Sequence, residues 1–210
     1  MENNCKKCHW LAPVDPVGEG TWIFTNNFGL SACLLNFYDA PTQGLKPPED
    51  SRGQLLRSLV PSRNLVEFEK GLLDQLRSVR YAPCQIVGIE PGLGLAYWSW
   101  NGHELISHGI QKKVGMITSS SWNSVAVTET RQRMFQQLIP SQPETEDFAA
   151  YHLSVAPEGP PYSVCMTRPD TRTVSISRIS YHNERVRFTY EDREESGGFG
   201  LPELCELEIQ

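Results

Sequence analysis

Apolar and polar positions change rhythm several times along the chain. Thr21-Trp22-Ile23-Phe24-Thr25 and Leu30-Ser31-Ala32-Cys33-Leu34-Leu35-Asn36-Phe37 are β-prone runs separated by Asn26-Asn27-Phe28-Gly29. An Asn/Gly turn between such runs predicts a hairpin over Gly20 to Phe37, with Asn36 near its end. The polar stretch Tyr38 to Asp50, rich in Pro and Gly, reads as a loop, and Ser51 as the N-cap of a short helix over Gln54 to Val60. Beyond it Leu65, Phe68, Leu72, Leu76 and Val79 recur at spacings of three and four behind the capping pair Asn64 and Glu67. That spacing predicts a helix whose apolar stripe faces a core.

The rhythm then shortens to two. Cys84 to Glu90 and Leu95 to Trp100 read as strands flanking Pro91-Gly92-Leu93-Gly94, with further strands at Glu104 to Gly109 and Val114 to Thr118, an antiparallel meander. A second helix, capped by Ser124, carries Val127, Arg131, Met134, Phe135 and Leu138 on one face and stops before Pro140 and Pro143. A shorter helix is predicted over Glu146 to Ser154. The pattern returns to strands at Tyr162 to Thr167, Thr173 to Ser180 and Arg185 to Tyr190, with turns at Pro169-Asp170 and His182-Asn183. Strands, helices, then strands again predict an α+β fold of mostly antiparallel sheets. The chain reads as one domain, 1–210, with flexible segments at 1–11 and in the polar, turn-rich stretch 191–200.

Composition narrows the function classes. A net charge of -6 leaves no concentrated basic face for phosphates, so nucleic acid is not expected as a partner. No run approaches the roughly 20 apolar residues that cross a bilayer, and no apolar leader precedes a small-residue cleavage site, so the expected compartment is the cytoplasm. Cys33, Cys84 and Cys165 lie inside apolar runs, where free cysteine packs as a small hydrophobe, and are expected to be structural thiols.

The start of the chain carries the one short motif with cofactor chemistry. Cys5-Lys6-Lys7-Cys8-His9 has the spacing of c-type haem attachment, two thiols and an adjacent imidazole. Covalent haem attachment requires an export route, and a zinc site on Cys5, Cys8 and His9 requires a fourth ligand from a second Cys/His pair that does not follow at finger-like spacing. Neither cofactor is expected. These three residues remain the metal candidates and are expected to be exposed and poorly anchored. His103, His108, His152 and His182 are scattered, without a Cys or Asp at a telling spacing.

Several stretches in order resemble the NRDE family, named for an Asn-Arg-Asp-Glu tetrad and represented in animals by transport and Golgi organisation protein two. They are Ala12-Pro13-Val14-Asp15, Gly20-Thr21-Trp22-Ile23, Gly29-Leu30 through Leu34-Leu35-Asn36, Ser51-Arg52-Gly53, Thr118-Ser119-Ser120-Ser121, and Tyr162-Ser163-Val164-Cys165-Met166 with Arg168-Pro169-Asp170. The resemblance implies an N-terminal-nucleophile hydrolase-like fold, a four-layer αββα sandwich. Enzymes of that superfamily use a cysteine at the start of the mature chain, whose own α-amino group serves as base.

This chain departs from the pattern in its chemistry. It begins Met1-Glu2, lacks the tetrad, and reaches Gly20-Thr21-Trp22 early, so the resemblance implies a missing first strand or hairpin. Asn36, in a setting similar to that of bile-salt hydrolases, is the candidate oxyanion donor, and Ser119 a second one, standing where those enzymes carry an Asn. Two readings stay open. One is a catalytically incompetent member with a role in intracellular trafficking or in handling a small ligand such as haem or lipid. The other is a cysteine amidohydrolase acting on a linear amide, its nucleophile on an absent N-terminal segment. Trp22, Trp98 and Trp100 are assigned to packing.

Overall fold

The computed structural model describes residues 7–111 and 114–210, and the chain divides into two compact units. The first comprises Met1–Lys113, Ser177–Tyr190 and Pro202–Gln210; the second comprises Val114–Ile176 and Glu191–Leu201. Helices and antiparallel sheets occur together, which is the expected α+β composition.

In the first unit, six strands form one sheet in chain order: β1 (Trp10–Leu11), β2 (Ile23–Asn26), β3 (Ser31–Asn36), β4 (Cys84–Glu90), β5 (Gly94–Trp100) and β6 (Leu105–Gln111). The predicted hairpin is present as β2–β3, with Ile23 opposite Cys33 and Asn36 the last residue of β3. Between β3 and β4 lie α1 (Arg52–Ser58) and α2 (Leu65–Ser78), each started by the cap its sequence advertises. Ser51 Oγ accepts from Gln54 N–H at 3.1 Å, and Asn64 Oδ1 from Glu67 N–H at 2.9 Å. Because alternate residues of a strand point to opposite faces, Ala32, Ile86, Ala96 and Trp98 present one apolar face, on which Leu55, Leu56, Leu65, Phe68 and Leu72 are buried. Gly88 permits this close approach, since a Cβ there would lie 2.6 Å from Leu65 Cδ2 and 3.1 Å from Trp98 Cζ3.

The other face of the same sheet meets a second sheet. β7 (Ser175–His182), β8 (Arg185–Asp192) and β9 (Glu203–Glu208) form a three-stranded sheet in that order. Tyr181 of β7 hydrogen-bonds Ser31 Oγ and donates to Gly29 O at 3.1 Å, while Ser31 donates to the buried Thr25 at 2.8 Å. Burial pushes the Tyr181 phenol up, partly offset by its bonds to Ser31 and Thr25.

Asn26 is fully buried and fastens the β2–β3 turn to the α1–α2 connection. Its Nδ2 donates to Val60 O and Ser62 O, both at 2.8 Å, and its Oδ1 accepts from Phe28 N and Leu30 N at 3.0 and 3.1 Å. The side-chain amide thereby uses two donors and two acceptors, its full inventory.

The second unit is built on α3 (Ser124–Leu138), α4 (Thr145–Leu153) and a 3-10 turn at Pro160–Tyr162. Ser124 is the first residue of α3 and not its cap. Asn123 takes the cap position in a left-handed conformation, φ 42°, with no side-chain capping bond. Neither Val114 to Thr118 nor Tyr162 to Thr167 is a strand. In the latter run the Ser163 hydroxyl is buried and bonds Ala156 N–H and Gly159 O, so the chain folds as a turn whose only bridge is Thr167 with Arg172. Within 191–200, Arg193 is bridged to Phe199 and reaches Met166 O and Thr167 Oγ1, each at 3.1 Å.

Candidate functional site

A cleft of about 460 Å³ in the first unit is where the N-terminal stretches of the family resemblance converge. Asp15, Gly20, Thr21, Trp22, Leu34, Asn36, Ser51, Arg52 and Gly53 all line it, joined by Pro48, Asp50 and Ala82. These residues lie on four separate segments. What brings them together is a backbone crossing between the segment leading into β2 and the first turn of α1.

Glycine makes that crossing possible. A Cβ on Gly20 would stand 2.6 Å from the Gly53 carbonyl carbon, and one on Gly53 would stand 3.1 Å from Gly20 Cα. Thr21 N–H donates to Gly53 O at 3.1 Å, locking the two backbones. Asp15 shapes the approach: its N–H donates to Gly20 O at 2.9 Å, its O accepts from Glu19 N at 2.8 Å, and its Oδ1 accepts from Val17 N at 3.0 Å. Gln54 Nε2 adds a bond to Gly18 O at 2.7 Å, so the 15–20 turn is clamped onto α1.

Next to the cleft residue Ala82, the Pro83 carbonyl accepts from Phe37 N at 3.2 Å and from Arg52 Nη1 at 3.1 Å. One carbonyl thus sets the Arg52 guanidinium next to the end of β3, where Asn36 sits. Asn36 is half-buried and donates one amide hydrogen to Tyr38 OH at 2.6 Å, which leaves its second N–H as a donor. The cleft therefore combines the Asn36 amide and Arg52 guanidinium as donors, the Asp15 and Asp50 carboxylates as acceptors, and the Trp22 indole as an apolar wall. Such a mixture suits a small polar molecule with a carboxylate or amide and a modest apolar part.

Two hydroxyls line the cleft. Thr21 Oγ1 donates to Ile23 O at 2.9 Å and Ser51 Oγ caps α1, so both serve the backbone. Among the described residues no cysteine or histidine lines it. The nearest thiol in the ladder is Cys84, directly across from Asn36 on the same sheet face. It is fully buried, and desolvation pushes it from the ordinary 9.0 up to about 12, against a smaller lowering by Arg52. A thiol that burial keeps protonated is a poor nucleophile.

The other sequence-derived candidates fall elsewhere. Ser119 belongs to the second unit, where it is half-buried and its carbonyl accepts from Arg131 Nη1 at 3.3 Å. Asn36 and Ser119 are therefore on different units. Cys5 lies outside the described residues. Cys8, expected to be exposed and poorly anchored, is half-buried against the first unit's core and its Sγ donates to Val60 O at 3.7 Å. His9 is exposed in its side chain, but its backbone is fixed by Asn27, with bonds of 2.9 Å in both directions. Among the described residues no group of three His, Cys, Asp or Glu side chains gathers as a metal site. Trp98 and Trp100 are packed as expected, whereas Trp22 is 38% exposed and belongs to the cleft.

Arg52, Asp15 and Asp50 are site residues that sequence reasoning did not name as such. The signal for Arg52 and Asp15 was present, since both occur in the stretches that carry the resemblance. No protein-family model matches the chain, and no curated protein matches it. Among the described residues no helix is long and apolar enough to cross a membrane.

Proposed function

We propose that the chain is an NRDE-type protein of the N-terminal-nucleophile hydrolase-like class, a four-layer αββα sandwich whose cleft holds a small ligand without hydrolysing it. The observation that carries this reading is the convergence of Asp15 with Gly20–Trp22, of Leu34 with Asn36, and of Ser51–Gly53 on one cleft from three separated segments. Stretches picked out together by resemblance have no reason to share a concave surface unless that surface is what they serve. Helices on one face of the six-stranded sheet and a second sheet on the other support the layering. The lining supports binding without turnover: donors for an anionic or carbonyl oxygen are present, and among the described residues that line the cleft no nucleophile is paired with a base. Ligand handling is also the role that the resemblance implies for animal members, alongside intracellular trafficking.

The second reading, a cysteine amidohydrolase completed by a nucleophile from an additional N-terminal segment, rests on the free second N–H of Asn36, which faces the same cleft as Arg52. One experiment separates the two. Calorimetric titration with a panel of N-acyl amino acids, run beside a hydrolysis assay and a thiol-directed probe, should give binding with no product. Arg52→Ala should weaken binding about tenfold or more, the scale of one charge-assisted hydrogen bond. Turnover that appears once an N-terminal Met-Cys segment is added, and that Asn36→Ala abolishes, would replace the binding reading with the enzymatic one. Absence of any binding across the panel would remove this cleft as the functional site.

A further inference from the structure

A second cavity of about 440 Å³ lies in the first unit, next to the polar cleft. The two share only Trp22 and Asp15. One wall is the segment Leu11 to Pro16, and another is the β8–β9 ladder. In that ladder Phe188 stands opposite Cys205 and Tyr190 opposite Glu203, and the alternation of strand residues puts all four on the same face. The cavity is thus walled by three aromatic residues, Trp22, Phe188 and Tyr190, and carries two carboxylates, Asp15 and Glu203. No Lys, Arg or His is among its lining residues.

We propose that this cavity is a binding site for an organic monocation, a quaternary or protonated amine with alkyl substituents. Aromatic faces carry negative charge density and attract a cation within about 6 Å of the ring centre, and they do so best when the cation is large and weakly hydrated. An alkylated ammonium meets both demands: its methyl groups bury against the rings and its charge is diffuse. The two carboxylates supply the counter-charge. Asp15 Oδ1 is committed to Val17 N–H, which holds the carboxylate in place. Glu203, at the start of β9, is exposed. An anion would face two like charges with no donor cation, so it is excluded by the same lining. The volume falls within the ordinary range for small-ligand cavities, roughly 300–1,000 Å³. The protein's overall charge of -6 favours cation approach further.

Cys205 provides the readout, because it is an exposed thiol on this cavity's wall, while Cys84 is buried and serves as an internal control. The intact chain is alkylated with iodoacetamide, and the rate at Cys205 is followed by mass spectrometry in the presence of choline or of its neutral isostere 3,3-dimethylbutan-1-ol. Choline should slow Cys205 alkylation in a saturable way, and the neutral alcohol should need a concentration about fivefold higher or more for the same protection. Glu203→Gln and Trp22→Leu should each weaken choline protection by about fivefold. Arg52→Ala, which alters the polar cleft alone, should leave it unchanged, and Glu203→Gln should leave N-acyl amino acid binding unchanged. Equal protection by choline and its isostere would reduce the cavity to an apolar pocket and overturn the proposal. So would no protection by choline at any concentration, whatever the polar cleft binds.

Discussion

In the first unit Phe24, Phe68 and Trp98 pack in one line, with ring centres 6.4 and 5.5 Å apart, inside an apolar cluster fed by two helices and most of a sheet. In the second unit the corresponding cluster is Met134, Tyr151 and Ala156 with a few half-buried neighbours, and much of the chain around it is loop. What stands in for apolar burial there is the arginine side chain. Arg131 reaches Ser163 O at 3.0 Å, Tyr162 O at 3.4 Å, Thr118 Oγ1 at 2.7 Å and Ser119 O at 3.3 Å, gathering two loops onto α3. Burial lowers its pKa, with repulsion from Arg168 adding to the lowering and Tyr151 opposing it. The contrast teaches that a segment with few apolar side chains can still be fixed when a long cation satisfies the loop carbonyls that water would otherwise take.

The strongest way to break the comparison is to open the apolar line. Phe68→Ala should cost about 3–5 kcal/mol, measured by urea unfolding of the first unit's fluorescence, because it removes the ring in the middle and leaves a cavity between two aromatic neighbours. Smaller but differently placed is the effect of Arg131→Met, expected at about 2–3 kcal/mol, since carbonyls lose charged donors and the fork geometry cannot be rebuilt. Amide exchange would locate it: protection should fall at 116–119 and 162–164 while β4 keeps its own. If Arg131→Lys restored that protection, geometry would not be the cause.

A third test sharpens the contrast through pH. The Cys84 thiol is raised by burial from 9.0 to about 12 in the folded chain. Its contribution is fully present below pH 9 and is lost as pH rises toward 12, because the unfolded chain sheds the proton first. At pH 10 the loss should be on the order of 1 kcal/mol relative to Cys84→Ala, which has no such proton. A stability difference between the two proteins that stays constant from pH 8 to 10 would show the thiol to be more accessible than the fold makes it.

Where the chain repeats a simple rhythm, its elements were readable. The stripe from Leu65 to Val79 and its Asn64 cap formed as predicted, and so did the hairpin turned by Asn26 to Gly29. Reading failed where the deciding contact is tertiary. Glu203-Leu204-Cys205-Glu206-Leu207-Glu208 is β9, yet its charged, mostly exposed residues carry no strand signal until β8 offers Arg185 and Arg187 as cross-strand partners for Glu206 and Glu208. Tyr162 to Thr167 has β-prone residues, but the prolines before it set a 3-10 turn and Ser163 spends its hydroxyl inside the loop. In the cleft, Asn36 was legible as a candidate. Its companions Arg52 and Asp15 needed the Gly20–Gly53 crossing, a contact between residues thirty-three positions apart that no local pattern encodes.

Asn26 carries a consequence on a slower clock. Asparagine ages when the next residue's backbone nitrogen attacks its side-chain carbonyl, closing a succinimide that opens to a carboxylate. Here that carboxylate would turn two donors into acceptors against the Val60 and Ser62 carbonyls, and the turn would come apart from the helices it holds. The fold guards the joint at the attacking atom itself: the Asn27 nitrogen is engaged with His9 O at 2.9 Å, and the amide it would attack is pinned at all four of its bonds. Deamidation of stored protein should therefore register at Asn26 only after that strand has opened, which makes the chemical age of this one side chain a record of how often the β2–β3 turn has let go.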